Sequence, residues 1–128
     1  MKVFKTKWFV RFARRERISN RSLCEAIWRA ERGLVDADLG GRIIKQRIAR
    51  RGQGRSGAYR VLVAYRPDAR AVFLYGFAKS ERENVEEDEL ETARDIARGW
   101  LDANANQLDL AITEGLIQEV NCDVEEED

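Results

Sequence analysis

The chain reads as an α+β protein in which an N-terminal helical hairpin packs on a small antiparallel sheet, followed by one or two C-terminal helices. Three observations predict this. Two short segments before residue 34 space their apolar residues at helical intervals. A glycine-rich stretch over residues 50–57 is flanked on both sides by residues alternating with period two. A later segment, Glu86 to Leu101, carries a single apolar stripe. With 128 residues and one proline, the chain is expected to be a single domain long enough to bury a core without covalent staples.

Taken in order, Lys2 to Phe4 reads as a short first strand. From Thr6, a capping residue, the spacing turns helical, with Trp8, Phe9, Phe12 and Ala13 on one face. A second helix begins near Ser19 or Asn20, turns Leu23, Ala26, Ile27 and Ala30 inward, and stops at Gly33. Leu34 to Gly41 reads as a loop. Ile44, Gln46 and Ile48 alternate with Lys45 and Arg47 in one strand, and Tyr59, Val61, Val63 and Tyr65 mark the next. Arg66, Pro67 and Asp68 form a turn. Ala69 to Ala78 is apolar on both faces and is expected to be a buried, central strand. Glu86 to Leu101 is helical, with acidic residues in its first turn where the macrodipole favours them. Asn104 to Glu114 reads as a further short helix, Ile117 to Val120 as an edge strand, and Glu125 to Asp128 as a frayed end. Trp8, Trp28 and Trp100 fall on helical apolar faces and are assigned to core packing.

The composition excludes several functions. There is no histidine, which removes the commonest metal ligand and every Ser–His or Cys–His arrangement. No metal site and no cofactor is expected. Cys24 and Cys122 show no metal-binding spacing and read as ordinary reduced cysteines of a cytoplasmic protein. No apolar run approaches the ~20 residues of a membrane-spanning helix, so no membrane association is expected. The net charge of zero conceals an asymmetry. Residues 1–60 hold 17 basic against 5 acidic side chains, and residues 61–128 hold 6 against 18. Such a split points to nucleic-acid contact at the basic end.

The basic charge concentrates in Arg42 to Arg60, with Arg42, Lys45, Arg47, Arg50, Arg51, Arg55 and Arg60 and no acidic residue. Gly52, Gly54 and Gly57 permit close backbone approach to a ligand in the loop between the strands. Guanidinium forks and glycine-rich turns suit a phosphate-bearing polyanion. The bland alternative is a solvated charged hairpin, with the glycines serving only its geometry.

The segment Arg51 to Arg60, basic-Gly-x-Gly-Arg-x-Gly-x-x-Arg, leads into the strand VLVAY and resembles the RelE/HigB toxins of the RelE/ParE superfamily. Phe73 to Glu81, FLYGFAKSE, is similar to that family's aromatic strand running into a lysine and an acidic residue. The resemblance covers residues 1–102, the expected toxin domain, and leaves 103–128 as an acidic extension of the same single domain. It implies the toxin of a type II toxin–antitoxin system: a metal-independent mRNA endonuclease acting at the ribosome, neutralised by a cognate antitoxin protein. The implied chemistry is attack of a ribose 2′-OH on the adjacent phosphate.

That chemistry requires fixed cations where charge develops, for which Arg47, Arg55 and Arg60 are the candidates. It also requires a proton acceptor, with Lys45 or Lys79 and then Glu81 as candidates, and a donor to the leaving oxygen, either a lysine or Tyr75. Arg42, Arg50, Arg51, Gly52, Gly54 and Gly57 are assigned to RNA binding. The family tyrosine near the C-terminus has no counterpart after Tyr75. Two other functions stay open: a ParE-like DNA gyrase inhibitor, and a nucleic-acid-binding module without catalysis.

Overall fold

The computed structural model describes residues 1–50, 54–81 and 84–122, with backbone alone for 50 and 54–57. The elements run β1 (Lys2–Thr6), α1 (Lys7–Glu16), α2 (Asn20–Glu31), β2 (Ala37–Gly40), β3 (Ile43–Arg50), β4 (Gly54–Arg66), β5 (Arg70–Ala78), α3 (Glu87–Asp102), α4 (Ala105–Thr113) and β6 (Ile117–Val120). Among the described residues the strands form one six-stranded sheet in the order β2-β3-β4-β5-β1-β6. No helix among them is long and apolar enough to cross a membrane.

This corrects the expected fold class. The strand expected at Lys2 to Phe4 precedes the helical hairpin as a member of the sheet, which is large and mixed where a small antiparallel one was expected, because β1 lies parallel to β5 with Val3 beside Ala71. Joining two parallel neighbours takes a long crossover, and here α1, α2 and β2 to β4 intervene. Val3 and Phe4 are almost fully buried on opposite faces, Val3 in a core with α1 and α2 and Phe4 in a second core with α3 and α4. Burial on both sides marks an interior strand. The molecule therefore has three layers, with the sheet between two helical pairs.

The helix ends follow from local chemistry. The Thr6 hydroxyl oxygen accepts from Phe9 N–H at 3.3 Å and donates to Leu74 O at 3.2 Å, so one buried side chain both caps α1 and ties it to β5. Ser19 caps α2 by accepting from Ser22 N–H at 3.1 Å. α3 starts with a reciprocal capping box between Glu86 and Glu89 and three acidic residues in its first turn. Its last carbonyls are met by Arg70, whose Nη1 donates to Trp100 O at 2.7 Å and Ala103 O at 2.9 Å. Burial, and then the neighbouring Arg66, lower the Arg70 guanidinium from its ordinary pKa.

Three further expectations need correction. The segment read as a loop from Leu34 contains β2, which pairs with the outer edge of β3. Trp8 and Trp28 are 55% and 42% exposed, because Phe9, Phe12 and Ala13 fill the inward stripe of α1 and a one-residue offset turns Trp8 about 100° away from Phe9. Of the three tryptophans, Trp100 alone packs against a core. Cys24 and Cys122 are bonded through sulfur at 2.11 Å, their Cα atoms 5.5 Å apart. The fold brings together α2 and the segment after β6, a proximity that a spacing of 98 residues cannot reveal.

Two glycines test the packing in opposite directions. A Cβ on Gly76 in β5 would sit 2.4 Å from the Phe12 ring. Gly76→Ala is expected to cost about 1–3 kcal/mol of unfolding free energy. At Gly99 in α3 a Cβ meets nothing within 4 Å. Gly99→Ala is expected to stabilise the chain by about 0.5–1 kcal/mol through helix propensity. Urea titrations of both variants beside the wild type check the pair.

Candidate functional site

The pleat of β3 sends Lys45 and Arg47 to one face of the sheet. The antiparallel register sets Arg47 opposite Arg60 of β4 and Lys45 opposite Leu62. Lys79 follows β5, and its N–H donates to Ala58 O at 3.1 Å, two residues before Arg60. On this same face Ile43, Leu62, Ala64, Val72 and Leu74 lie beneath α3. The helix covers the apolar end of the face and leaves the charged end open. The open end forms a concavity of about 360 Å³ lined by Asp36, Ala37, Lys45, Arg47, Arg60, Lys79 and Asn84.

Its electrostatics are unbalanced. Among the described residues no ion pair reaches Arg47, Arg60 or Lys79. Like charges placed directly opposite in a sheet are destabilising. Arg60 is only 8% exposed, and its Nη1 is buried without a hydrogen-bond partner among the described residues. A buried donor left unsatisfied costs about 1–3 kcal/mol. An anion entering the concavity would offset the repulsion between the cations that line it, Lys45, Arg47, Arg60 and Lys79. Lys45 Nζ donates to Asn84 Oδ1 at 3.1 Å.

One wall is fixed by a buried polar residue. Gln46 is fully buried on the opposite face of β3, where its Nε2 donates to Ala26 O at 2.9 Å and Leu34 O at 3.2 Å. Its Oε1 accepts from Asp36 N–H at 2.8 Å. The Asp36 carboxylate in turn accepts from Arg47 N–H at 2.6 Å, and Arg29 donates to the Arg47 carbonyl. Thus α2 and the approach to β2 are clamped to β3 beside the cations.

The structure brings together Lys45, Arg47, Arg60 and Lys79 of the sequence-derived candidates. It separates others. Arg42 stands at the far end of β3, about 17 Å along the strand from Arg47, and pairs with Asp102 at 3.2 Å. Glu81 is exposed and does not line the concavity. Tyr75 borders a different, apolar groove with Trp8, Leu74, Val85 and Ile96. Gly54 and Gly57 belong to β4, so the connection expected over 50–57 is shorter, and Gly54 pairs with Arg50. Arg51 and Gly52, and the side chains of Arg50 and Arg55, lie outside the described residues. Sequence reasoning missed Asp36 and Asn84. Asp36 fell in a stretch read as a loop, and nothing local places either residue beside the hairpin.

The model of a family described as the RelE toxin of the RelE/RelB toxin–antitoxin system matches residues 1–120. The chain belongs to the RelE toxin family, which makes it the toxin of a toxin–antitoxin pair with a cognate antitoxin as partner. The match runs beyond Asp102, through α4 and β6. No curated protein matches the chain.

The clamp yields a testable expectation. Gln46→Leu would leave Asp36 N–H, Ala26 O and Leu34 O without their partner, and is expected to lower the unfolding free energy by about 2–4 kcal/mol. Denaturant titration checks this. An unchanged midpoint would show that other groups or water satisfy those atoms.

Proposed function

We propose that this toxin is an endoribonuclease that cleaves messenger RNA at the ribosome in the cytoplasm and so inhibits translation. The observation that carries the reading is Arg60, buried, set opposite Arg47 and without an ion pair among the described residues. A site that binds a dianionic phosphorane has reason to hold such a pair uncompensated. A surface that merely repels its own charges does not. Family membership supports the reading, since a RelE-type toxin needs a target and this cleft suits a phosphate.

In the proposed reaction a ribose 2′-oxygen forms a bond to the adjacent phosphorus while the bond from phosphorus to the 5′-oxygen breaks. The products are a 2′,3′-cyclic phosphate and a 5′-hydroxyl. Arg47 and Arg60 hold the non-bridging oxygens, where charge accumulates, and their guanidinium forks suit paired oxygens. Lys79, which carries no ion pair among the described residues, donates the proton to the departing 5′-oxygen. Lys45, oriented by Asn84, contacts the neighbouring backbone of the RNA. Side chains supply all the charge stabilisation, and no step is assigned to a metal.

Expression in bacteria of the wild type beside Arg60→Ala tests the reading. The wild type should arrest growth and generate new 5′ ends in cellular mRNA. Arg60→Ala should lose both, with cleavage reduced about 10²–10³-fold. In a purified system the same substitution should also flatten the dependence of log affinity for single-stranded RNA on log salt by about 0.7. Growth arrest without new 5′ ends would overturn the ribonuclease reading in favour of another target such as DNA gyrase. Tight RNA binding without cleavage would reduce the chain to a binding module.

A further inference from the structure

We infer that Asp36 is the catalytic residue that takes the proton from the attacking 2′-hydroxyl, an inference that rests on the ribonuclease reading. The acceptor must lie in the concavity and hold a free lone pair. Among its described lining residues, Arg47 and Arg60 are cations that do not give up their protons. Lys45 is spending a proton on Asn84 Oδ1 at 3.1 Å. Lys79 is assigned to the leaving group. The Asn84 amide is not basic. Among the described lining residues Asp36 is the one carboxylate.

Its placement is unusually well supported for a residue between elements. The β2–β3 ladder ends at Ala37 paired with Lys45. In place of a further rung, Asp36 N–H donates to Gln46 Oε1 at 2.8 Å and Asp36 Oδ2 accepts from Arg47 N–H at 2.6 Å. Gln46 is itself held by two carbonyls from α2 and the segment after it. Both Asp36 bonds go to β3, the strand that carries Arg47 into the cleft, so the carboxylate and the phosphate clamp move as one body. Among the described residues Oδ1 accepts no hydrogen bond. Oδ2 anchors the group while Oδ1 is available to the substrate. The negative charge also sorts the substrate: the anionic phosphate is drawn to Arg47 and Arg60, and the neutral 2′-hydroxyl is the part that tolerates a carboxylate.

The proton therefore passes from the 2′-oxygen to Asp36 Oδ1 as the 2′-oxygen to phosphorus bond forms. The 5′-oxygen takes its proton from Lys79 as its own bond to phosphorus breaks. Both side chains recover their starting protonation by exchange with water, and no oxidant or further reactant is consumed.

Asp36→Asn is the decisive variant, because the asparagine Oδ1 can still accept from Arg47 N–H while the base is lost. Cleavage of mRNA on programmed bacterial ribosomes should fall about 10²–10⁴-fold in a single turnover. Affinity for the same RNA with a 2′-O-methyl group at the cleavage site should stay the same or tighten, since a repelling charge has gone. A substrate with sulfur replacing the bridging 5′-oxygen needs no proton on its leaving group. It should restore cleavage by Lys79→Met and leave Asp36→Asn slow. Cleavage by Asp36→Asn at close to the wild-type rate, loss explained by weaker binding, or rescue by the sulfur substrate would each overturn the assignment while leaving the ribonuclease reading intact. RNA left whole by the wild type would remove the ribonuclease reading itself, and the assignment with it.

Discussion

The pairing of β3 with β4 is the constraint on which the site depends. Its register sets Arg47 against Arg60, and with them Lys45 against Leu62 and Ile43 against Ala64. Because side chains alternate between faces, slipping this register by one residue would exchange the cations for the apolar residues beneath α1 and α2. The register is held on one side by the buried apolar residues of β3 and β4, Ile44, Ile48, Val61 and Val63. It is held on the other by Ile43 and Leu62 under α3. Burial on both faces leaves the hairpin no alternative pairing of similar stability, so the like-charged pair is carried by the rest of the sheet.

α3 matters as much for where it stops as for what it covers. Its first turn is acidic and begins just after Asn84, at the rim of the cationic concavity. The helix therefore seals the apolar end of the face and leaves the charged end accessible. Its far end is tied to the sheet through Arg70 and the Arg42–Asp102 pair. The second of these is exposed and contributes little, at most about 1 kcal/mol. The first satisfies carbonyls that a helix end otherwise leaves open. Arg42 thus belongs to the basic run in sequence but serves the architecture, at the opposite end of the strand from the cleft.

The buried Gln46 links the core to the candidate site. Three hydrogen bonds from one side chain fix the approach to β2 against α2, and through that approach they fix Asp36 against Arg47. A fully buried amide is justified only when its donors and acceptor find partners, and here they do. Rigidity at the candidate site comes from behind it, from the opposite face of the sheet.

Much of the secondary structure was legible in the sequence. The helix starts at Thr6 and Ser19, the central strand through Phe73 and the α3 stripe all rest on residues within a turn or a pleat of one another. That Lys45, Arg47, Arg60 and Lys79 would line one concavity was legible for the same reason: three alternate along adjoining strands, and the fourth follows an evident strand end. Trp8 and Trp28 misled because an amphipathic stripe shows which side of a helix is apolar but not which edge of it finds a neighbour. The sequence by itself determined every local element but β2, the cationic hairpin and the want of histidine, since these depend on composition and short-range sterics. Only the tertiary structure decided that β1 lies parallel beside β5, that Cys24 meets Cys122, that Arg42 leaves the site and that Asp36 enters it. Each of these joins segments far apart in the chain, and their free energy appears only when the whole sheet is buried at once.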